Sequence, residues 1–241
     1  MAIVELSQLT KTYKNGRGIK NLSLAIEKGW VYGLLGPNGS GKTTTMKAMV
    51  GLIRPDSGKV RILGHDPGEE TKLALQNVGC LIETPSFYPY LTARQNLEII
   101  SKLYGGVPEA RHGNMLEMVG LGAYAHEKAE KFSLGMKQRL GLAMTLLSDP
   151  QLLILDEPMN GLDIEGMADV RGIIKNQVEK GRTILISSHL AGEIEQVCTH
   201  VAIIKDGSLV GAVDVPELVC EYGSVEKYYL SLVANKKEMA S

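Results

Sequence analysis

The chain has 241 residues, enough for one large domain or two small ones around a sizeable buried core. Lys and Arg total 26 against 27 Asp and Glu, a formal charge of -1, which argues against a strongly basic nucleic-acid surface and against a polyacidic tail. Its three cysteines, Cys80, Cys198 and Cys220, lie far apart among apolar neighbours, a pattern that predicts buried thiols in a reducing cytosol and not disulfides or a metal site.

Short β-type runs alternate with helical ones, as in a mostly parallel α/β protein. Strands are predicted over 3–9, 22–26 and 31–35, a helix over 44–50, and a strand over 59–63 after the turn Arg54-Pro55-Asp56-Ser57-Gly58. Further strands are predicted over 78–82, 152–155, 183–187 and 201–205, and Asp206-Gly207 marks a tight hairpin into 208–213. Between residues 82 and 152 the strand signal vanishes, and helical spacing predicts 92–104, 108–119 and 136–147. That stretch reads as a helical subdomain inserted into an α/β core. A last helix over 225–233 precedes a polar tail that need not be ordered. No apolar stretch approaches bilayer length, and no signal peptide is expected, so a partner must supply any membrane.

Gly36-Pro37-Asn38-Gly39-Ser40-Gly41-Lys42-Thr43 meets every fixed position of the pattern G-x-x-x-x-G-K-[ST] and follows the apolar run 31–35. Glycines let successive backbone N–H groups turn inward around a polyphosphate. Lys42 reaches the terminal phosphates, the Thr43 hydroxyl can hold Mg2+, and the helix from Thr44 points its positive end at the same anion. A phosphate loop also needs a carboxylate to organise magnesium and a group to position the attacking water. The run Leu152-Leu153-Ile154-Leu155-Asp156-Glu157-Pro158 offers both at the end of a buried strand: Asp156 toward Mg2+, directly or through its waters, and Glu157 toward a water for in-line attack.

With these residues in place the chain resembles the nucleotide-binding subunit of an ABC transporter, over residues 1–233. Phe132-Ser133-Leu134-Gly135-Met136-Lys137-Gln138-Arg139 is similar to the family's LSGGQ signature with its Gln-Arg continuation; Ser133 and Gly135 match, while Leu134 and Met136 depart from it. Asn160-Gly161-Leu162-Asp163 resembles the D-loop, His189 in Ser187-Ser188-His189 the switch histidine, and Tyr13 stands where the family stacks an aromatic on adenine. The resemblance implies a P-loop NTPase core with a mostly parallel sheet, an N-terminal antiparallel β part and an inserted helical subdomain. In residue terms that is a core of 1–84 and 149–233, helices over 85–148 and a tail over 234–241. It also implies ATP and Mg2+ as ligands, a homodimer on ATP binding, transmembrane permease subunits as partners, and no direct contact with nucleic acid. The expected location is cytoplasmic, peripheral on the inner face of the cell membrane.

In that dimer each nucleotide lies between Lys42 of one copy and Ser133 of the other, since Ser133 and the Gly135 N–H open a second anion-binding helix. Each residue also has a plainer reading. Ser133 and Asp163 suit helix caps, His189 a capping or surface histidine, and Tyr13 simple packing. His65, His112, His126 and His200 receive no function.

Glu83 stands where the family usually has glutamine, near Mg2+ and the loop that touches the membrane partner. A carboxylate still ligates magnesium but cannot donate a hydrogen bond, and at ~6 Å with an effective dielectric of ~20 its charge interacts by on the order of 3 kcal/mol per unit charge. Attraction to Mg2+ opposes repulsion from the γ-phosphate and Glu157, so the net sign stays open. The following Thr84-Pro85-Ser86-Phe87-Tyr88-Pro89-Tyr90-Leu91 is the densest aromatic cluster, either a hinge against the helical subdomain or a pocket for a membrane subunit's helix. Together with the signature, this segment resembles the branch of bacitracin-resistance and lantibiotic self-immunity exporters. A non-transport ABC ATPase acting on nucleic acid or ribosomes is the alternative, although the tandem second unit or long coiled-coil insertion expected of one is absent. A GTPase is disfavoured, because its guanine-reading pattern has only Asn235-Lys236-Lys237-Glu238 as a counterpart, with the wrong acid.

Overall fold

The computed structural model describes residues 2–238. In chain order it runs β1 (Ala2–Thr12), β2 (Gly18–Glu27), β3 (Val31–Leu35), α1 (Lys42–Met49), β4 (Ser57–Ile62), α2 (Thr71–Leu75), β5 (Val78–Leu81), α3 (Ala93–Leu103), α4 (Glu109–Met118) and α5 (Leu134–Leu146). Then follow β6 (Leu152–Asp156), α6 (Ile164–Glu179), β7 (Thr183–Ser188), α7 (Ala191–Val197), β8 (His200–Lys205), β9 (Ser208–Asp214), α8 (Val215–Tyr222) and α9 (Val225–Glu238). Every expected strand is present. The helices α2, α7 and α8 lie outside the sequence expectation, and of α6 only the capping Asp163 was read from the sequence. Helix α9 continues through residues expected in the tail, while residues 239–241 of that tail lie outside the described residues.

These elements form two compact units, one made of the chain up to Gln76 together with Thr183 onward, the other of Asn77–Arg182. In the first, β2, β1 and β4 make an antiparallel sheet in which Leu6 faces Leu24 on one side and Val60 on the other. Val4 and Leu6 are buried while Glu5 and Ser7 are exposed, the alternation of a strand; at Gln8, with φ 50°, the register shifts, and Leu9 is the next buried position. The same unit holds β3 paired in parallel with β7 and β8, and β9 returning antiparallel to β8. β3 and β7 are buried at every position, as strands covered on both faces must be. Asp206 and Gly207, at φ 51° and 81°, make the expected hairpin turn.

In the second unit β5 and β6 pair in parallel, with Leu81 opposite Leu155, alongside α3 to α6. Helix α3 opens with a reciprocal cap: the Gln95 N–H donates to Thr92 Oγ1 and the Thr92 N–H donates to Gln95 Oε1. Buried Asn96 then anchors the aromatic loop, accepting from the Tyr88 N–H at 2.7 Å and donating to the Tyr88 carbonyl at 3.1 Å. The backbone is thus tied down while the Tyr88 and Tyr90 rings stay exposed.

All three cysteines are free, but only Cys198 is buried; Cys80 and Cys220 are exposed, which corrects the expectation of three buried thiols. Apolar sequence neighbours do not decide a side chain's face. Cys80 alternates with buried Gly79 and Leu81 along β5, and Cys220 lies off the face of α8 that buries Val215 and Leu218.

Candidate functional site

In the first unit, β3 delivers the chain into the loop from Gly36 to Gly41, and α1 begins at Lys42, two residues earlier than expected. Gly39 and Gly41 adopt φ 79° and 112°, conformations that side chains rarely tolerate. Gly36 has no space for a side chain, since a Cβ there would meet Ile204 O at 2.2 Å and Ser40 Oγ at 2.7 Å. Lys42 is 5% exposed and its Nζ donates to Gly36 O at 2.7 Å and Pro37 O at 3.3 Å, which bends the ammonium back over the loop. Ser40 is buried, and its Oγ has no hydrogen-bond partner among the described residues. A buried hydroxyl of that kind is the donor that an anion in the loop would satisfy. Thr43 and Thr44 are half-buried in the first turn of α1, at the positive end of the helix.

His189 follows β7 and is exposed. The turn after it is fixed by Ser188, whose Oγ donates to Glu193 Oε2 at 2.5 Å and accepts from the Leu190 N–H at 3.0 Å. The Gly36 N–H donates to Ser188 O at 3.3 Å, and a cavity of about 370 Å³ is lined by Gly36 and Pro37 together with His189 and by Glu226 and Tyr229 of α9. The expected switch histidine and the phosphate loop therefore share one cavity. Tyr13 is 39% exposed and belongs to a closed turn after β1, in which the Tyr13 N–H donates to Arg17 O and the Gly16 N–H to Tyr13 O, both at 2.8 Å. His200, given no role, stacks on Trp30 with ring centroids 3.5 Å apart; burial holds its pKa below the usual histidine value, against the opposing pull of Asp214 and Glu217.

In the second unit, Asp156 ends β6 at 5% exposure and Glu157 follows in the left-handed region, at φ 46°. Glu83, exposed, leaves β5 in the same way at φ 63°. Because Leu81 pairs with Leu155, Glu83 and Glu157 come at the same level beyond neighbouring strand ends, a pairing that sequence alone did not reveal. Helix α5 starts at Leu134 rather than near Met136, with Ser133 as its N-cap accepting from the Met136 N–H at 3.2 Å. Gly135 is in its first turn, where the N–H has no intrahelical acceptor. Asp163 caps α6, accepting from the Gly166 N–H at 2.8 Å. The signature and D-loop segments touch, since a Cβ on Gly161 would lie 3.0 Å from Leu134 Cδ2. Leu134, one of the two departures from the signature pattern, thus covers a glycine at φ 73°.

Among the described residues no three of His, Cys, Asp and Glu cluster as a metal site. Thr43, Asp156 and Glu83, the residues expected near Mg2+, offer the oxygen donors that this ion takes, with waters and substrate phosphates supplying the rest of its shell. Sequence reasoning missed Arg17, Lys20, Asp206 and Gly207, which line a cavity of about 330 Å³ with Pro37 to Ser40. No motif marks Arg17 or Lys20, and Asp206-Gly207 was legible only as a hairpin turn.

The profile of the ABC transporter family matches residues 19–160. The bacitracin transport ATP-binding protein BcrA of Enterococcus faecalis is 44% identical over 217 residues, covering 90% of this chain and 70% of the relative. The lantibiotic transport ATP-binding protein SrtF of Streptococcus pyogenes is 39% identical over 208 residues, covering 86% of this chain and 89% of the relative. Among solved structures, the ATP-binding cassette MJ0796, dimeric in a post-hydrolysis state with ADP and Pi, superposes with a TM-score of 0.78 at 27% identity, over 88% of this chain and 98% of that one.

Proposed function

The chain belongs to the ABC transporter family and is one of its ATPases, and on that premise we propose that it powers export through a separate membrane permease. The cargo in this reading is an antimicrobial peptide of the bacitracin or lantibiotic kind, which the names of the relatives support. The observation that carries ATP binding is the loop before α1, where positive-φ glycines, buried Lys42 and an unsatisfied buried Ser40 hydroxyl surround one concave backbone.

Gly36, Pro37, Asn38, Gly39, Ser40 and Gly41 wrap the β- and γ-phosphates, Lys42 neutralises them, and the Thr43 and Thr44 N–H groups add the positive end of α1. Tyr13 stacks on adenine. Thr43, Asp156 and Glu83 would hold Mg2+, which would neutralise charge developing on the phosphate oxygens. Glu157 orients and polarises the attacking water, and His189 contacts the γ-phosphate and registers its loss. Ser133 and the Gly135 N–H close over the nucleotide of a second copy, and Asp163 transmits that closure between protomers. The chain works at the cytoplasmic face of the membrane, and the anchored loop with exposed Tyr88 and Tyr90 is its surface for the permease. Among the described residues no helix is long and apolar enough to cross a membrane.

Two inactive variants test the shared site. Lys42→Ala disables a protomer's own phosphate loop, and Ser133→Arg disables the site of its neighbour. In a mixture, each mixed dimer keeps one site with both residues intact, so turnover is expected to return to a sizeable fraction of wild type. If mixing restores nothing while both variants stay folded, each nucleotide is served by a single copy and the head-to-tail reading is wrong.

A further inference from the structure

Arg17 and Lys20 belong to no motif, yet both line the cavity whose opposite wall is the phosphate loop from Pro37 to Ser40. Backbone contacts between distant segments hold them there. The Lys20 N–H donates to Gly207 O at 2.7 Å, and the Gly207 N–H donates to Ser40 O at 3.0 Å. A Cβ on Gly207 would sit 2.4 Å from Gly18 O, and one on Gly41 would sit 3.1 Å from the same oxygen. The start of β2, the β8–β9 turn and the phosphate loop are therefore joined at backbone distance, with no room for intervening side chains.

The Arg17 guanidinium reaches the loop itself. Its Nη1 lies 4.0 Å from where a Cβ on Gly39 would stand. Neither Arg17 nor Lys20 enters an ion pair among the described residues, and the acidic side chain on the same cavity is Asp206, so the lining carries two cations against one carboxylate. Arg17 also closes the turn that carries Tyr13, through the hydrogen bond from the Tyr13 N–H to Arg17 O. One short turn thus presents an aromatic ring and a guanidinium, groups suited to the base and the phosphates of one nucleotide.

We propose that Arg17 is a further phosphate-binding residue of this site, closing on the polyphosphate from the side opposite α1, with Lys20 adding charge, and so selecting nucleoside di- and triphosphates over nucleosides. This rests on the reading of Gly36 to Thr43 as a nucleotide loop. A guanidinium offers planar, paired N–H donors that match phosphate oxygens and cannot be deprotonated, which separates its role from that of the point-charge Lys42.

Displacement of a fluorescent ATP analogue by ATP, ADP and adenosine, on the full chain carrying Arg17→Ala, Arg17→Lys or Lys42→Ala, tests it. Arg17→Ala is expected to weaken ATP and ADP about tenfold, to leave adenosine unchanged, and to be partly rescued by Arg17→Lys. Wild-type ATP and ADP affinities in Arg17→Ala, alongside a loss in Lys42→Ala, would overturn the Arg17 assignment and leave the nucleotide loop standing. Unchanged affinities in both alanine variants would sink the loop reading and this one together. An equal loss for adenosine would make Arg17 a brace of the Tyr13 turn, which also defeats the assignment.

Discussion

Glu157 occupies a backbone conformation that a residue with a side chain adopts at a cost, at φ 46°, directly after a nearly buried aspartate. Such strain persists only where the surroundings hold it, here at the end of β6, with the Asn160 N–H donating to Glu157 O at 3.1 Å. The turn places the second acid of the pair off the strand axis, so that the two carboxylates need not share one role. Glu157→Gln keeps the shape and removes the charge that, in the proposed mechanism, polarises water. Hydrolysis in that variant is expected to fall by about 100-fold or more, with ATP affinity within roughly threefold of wild type. Size-exclusion chromatography with ATP should show the variant held as a dimer. Wild-type turnover would remove Glu157 from catalysis. Glu83 shares the positive φ and, by the register of β5 on β6, the strand level of Glu157, although the two residues are far apart in sequence.

At the scale of elements, α3 shows how one polar residue shapes a surface. Asn96 is 1% exposed and exchanges hydrogen bonds in both directions with the Tyr88 backbone, while its Nδ2 also donates to Thr92 O at 2.9 Å. Asn96→Ala leaves the part-buried Tyr88 N–H without its acceptor, while Tyr88 O keeps the Leu91 N–H and Thr92 O keeps the backbone N–H of residue 96, and a loss of about 1–3 kcal/mol in urea-unfolding stability is expected. If instead stability is unchanged, the loop is not held by α3. The strands were legible because β3, β6 and β7 are short, continuous apolar runs bounded by turn residues. The helices that escaped had weaker local marks. α2 and α7 are too short to show a period, and α6 carries Gly166 and Gly172 within its span, which lowers its intrinsic helix preference; packing of Val170, Ile173 and Ile174 secures it instead.

For the whole molecule, magnesium and nucleotide are expected to bind as one. Mg2+ dehydrates reluctantly and is bound through one or two carboxylates together with substrate phosphates, so it is expected to bind the proposed site weakly without phosphate oxygens. Mg2+ alone should therefore leave the unfolding temperature unchanged, whereas MgATP at about 100 times its Kd should add about 2.7 kcal/mol, a rise of roughly 5–11 °C. A clear shift with Mg2+ alone in differential scanning calorimetry would reveal a metal site independent of nucleotide.

The linear chain determined what is short-range. Gly36 to Thr43 and Asp156-Glu157 carry their chemistry within a few consecutive residues, and apolar runs mark the strands because burial on both faces leaves no polar position. Tertiary structure decided which distant residues meet. Arg17 faces Gly39 only because Gly207 bonds to both Lys20 and Ser40, His189 shares a cavity with Pro37 through the pairing of β3 with β7, and Glu83 levels with Glu157 through the register of β5 on β6. Likewise Cys80 turned outward although its neighbours are apolar. Local sequence specifies backbone preference and side-chain chemistry, whereas backbone hydrogen bonds between remote segments set register and facing, and these depend on how all the elements pack at once.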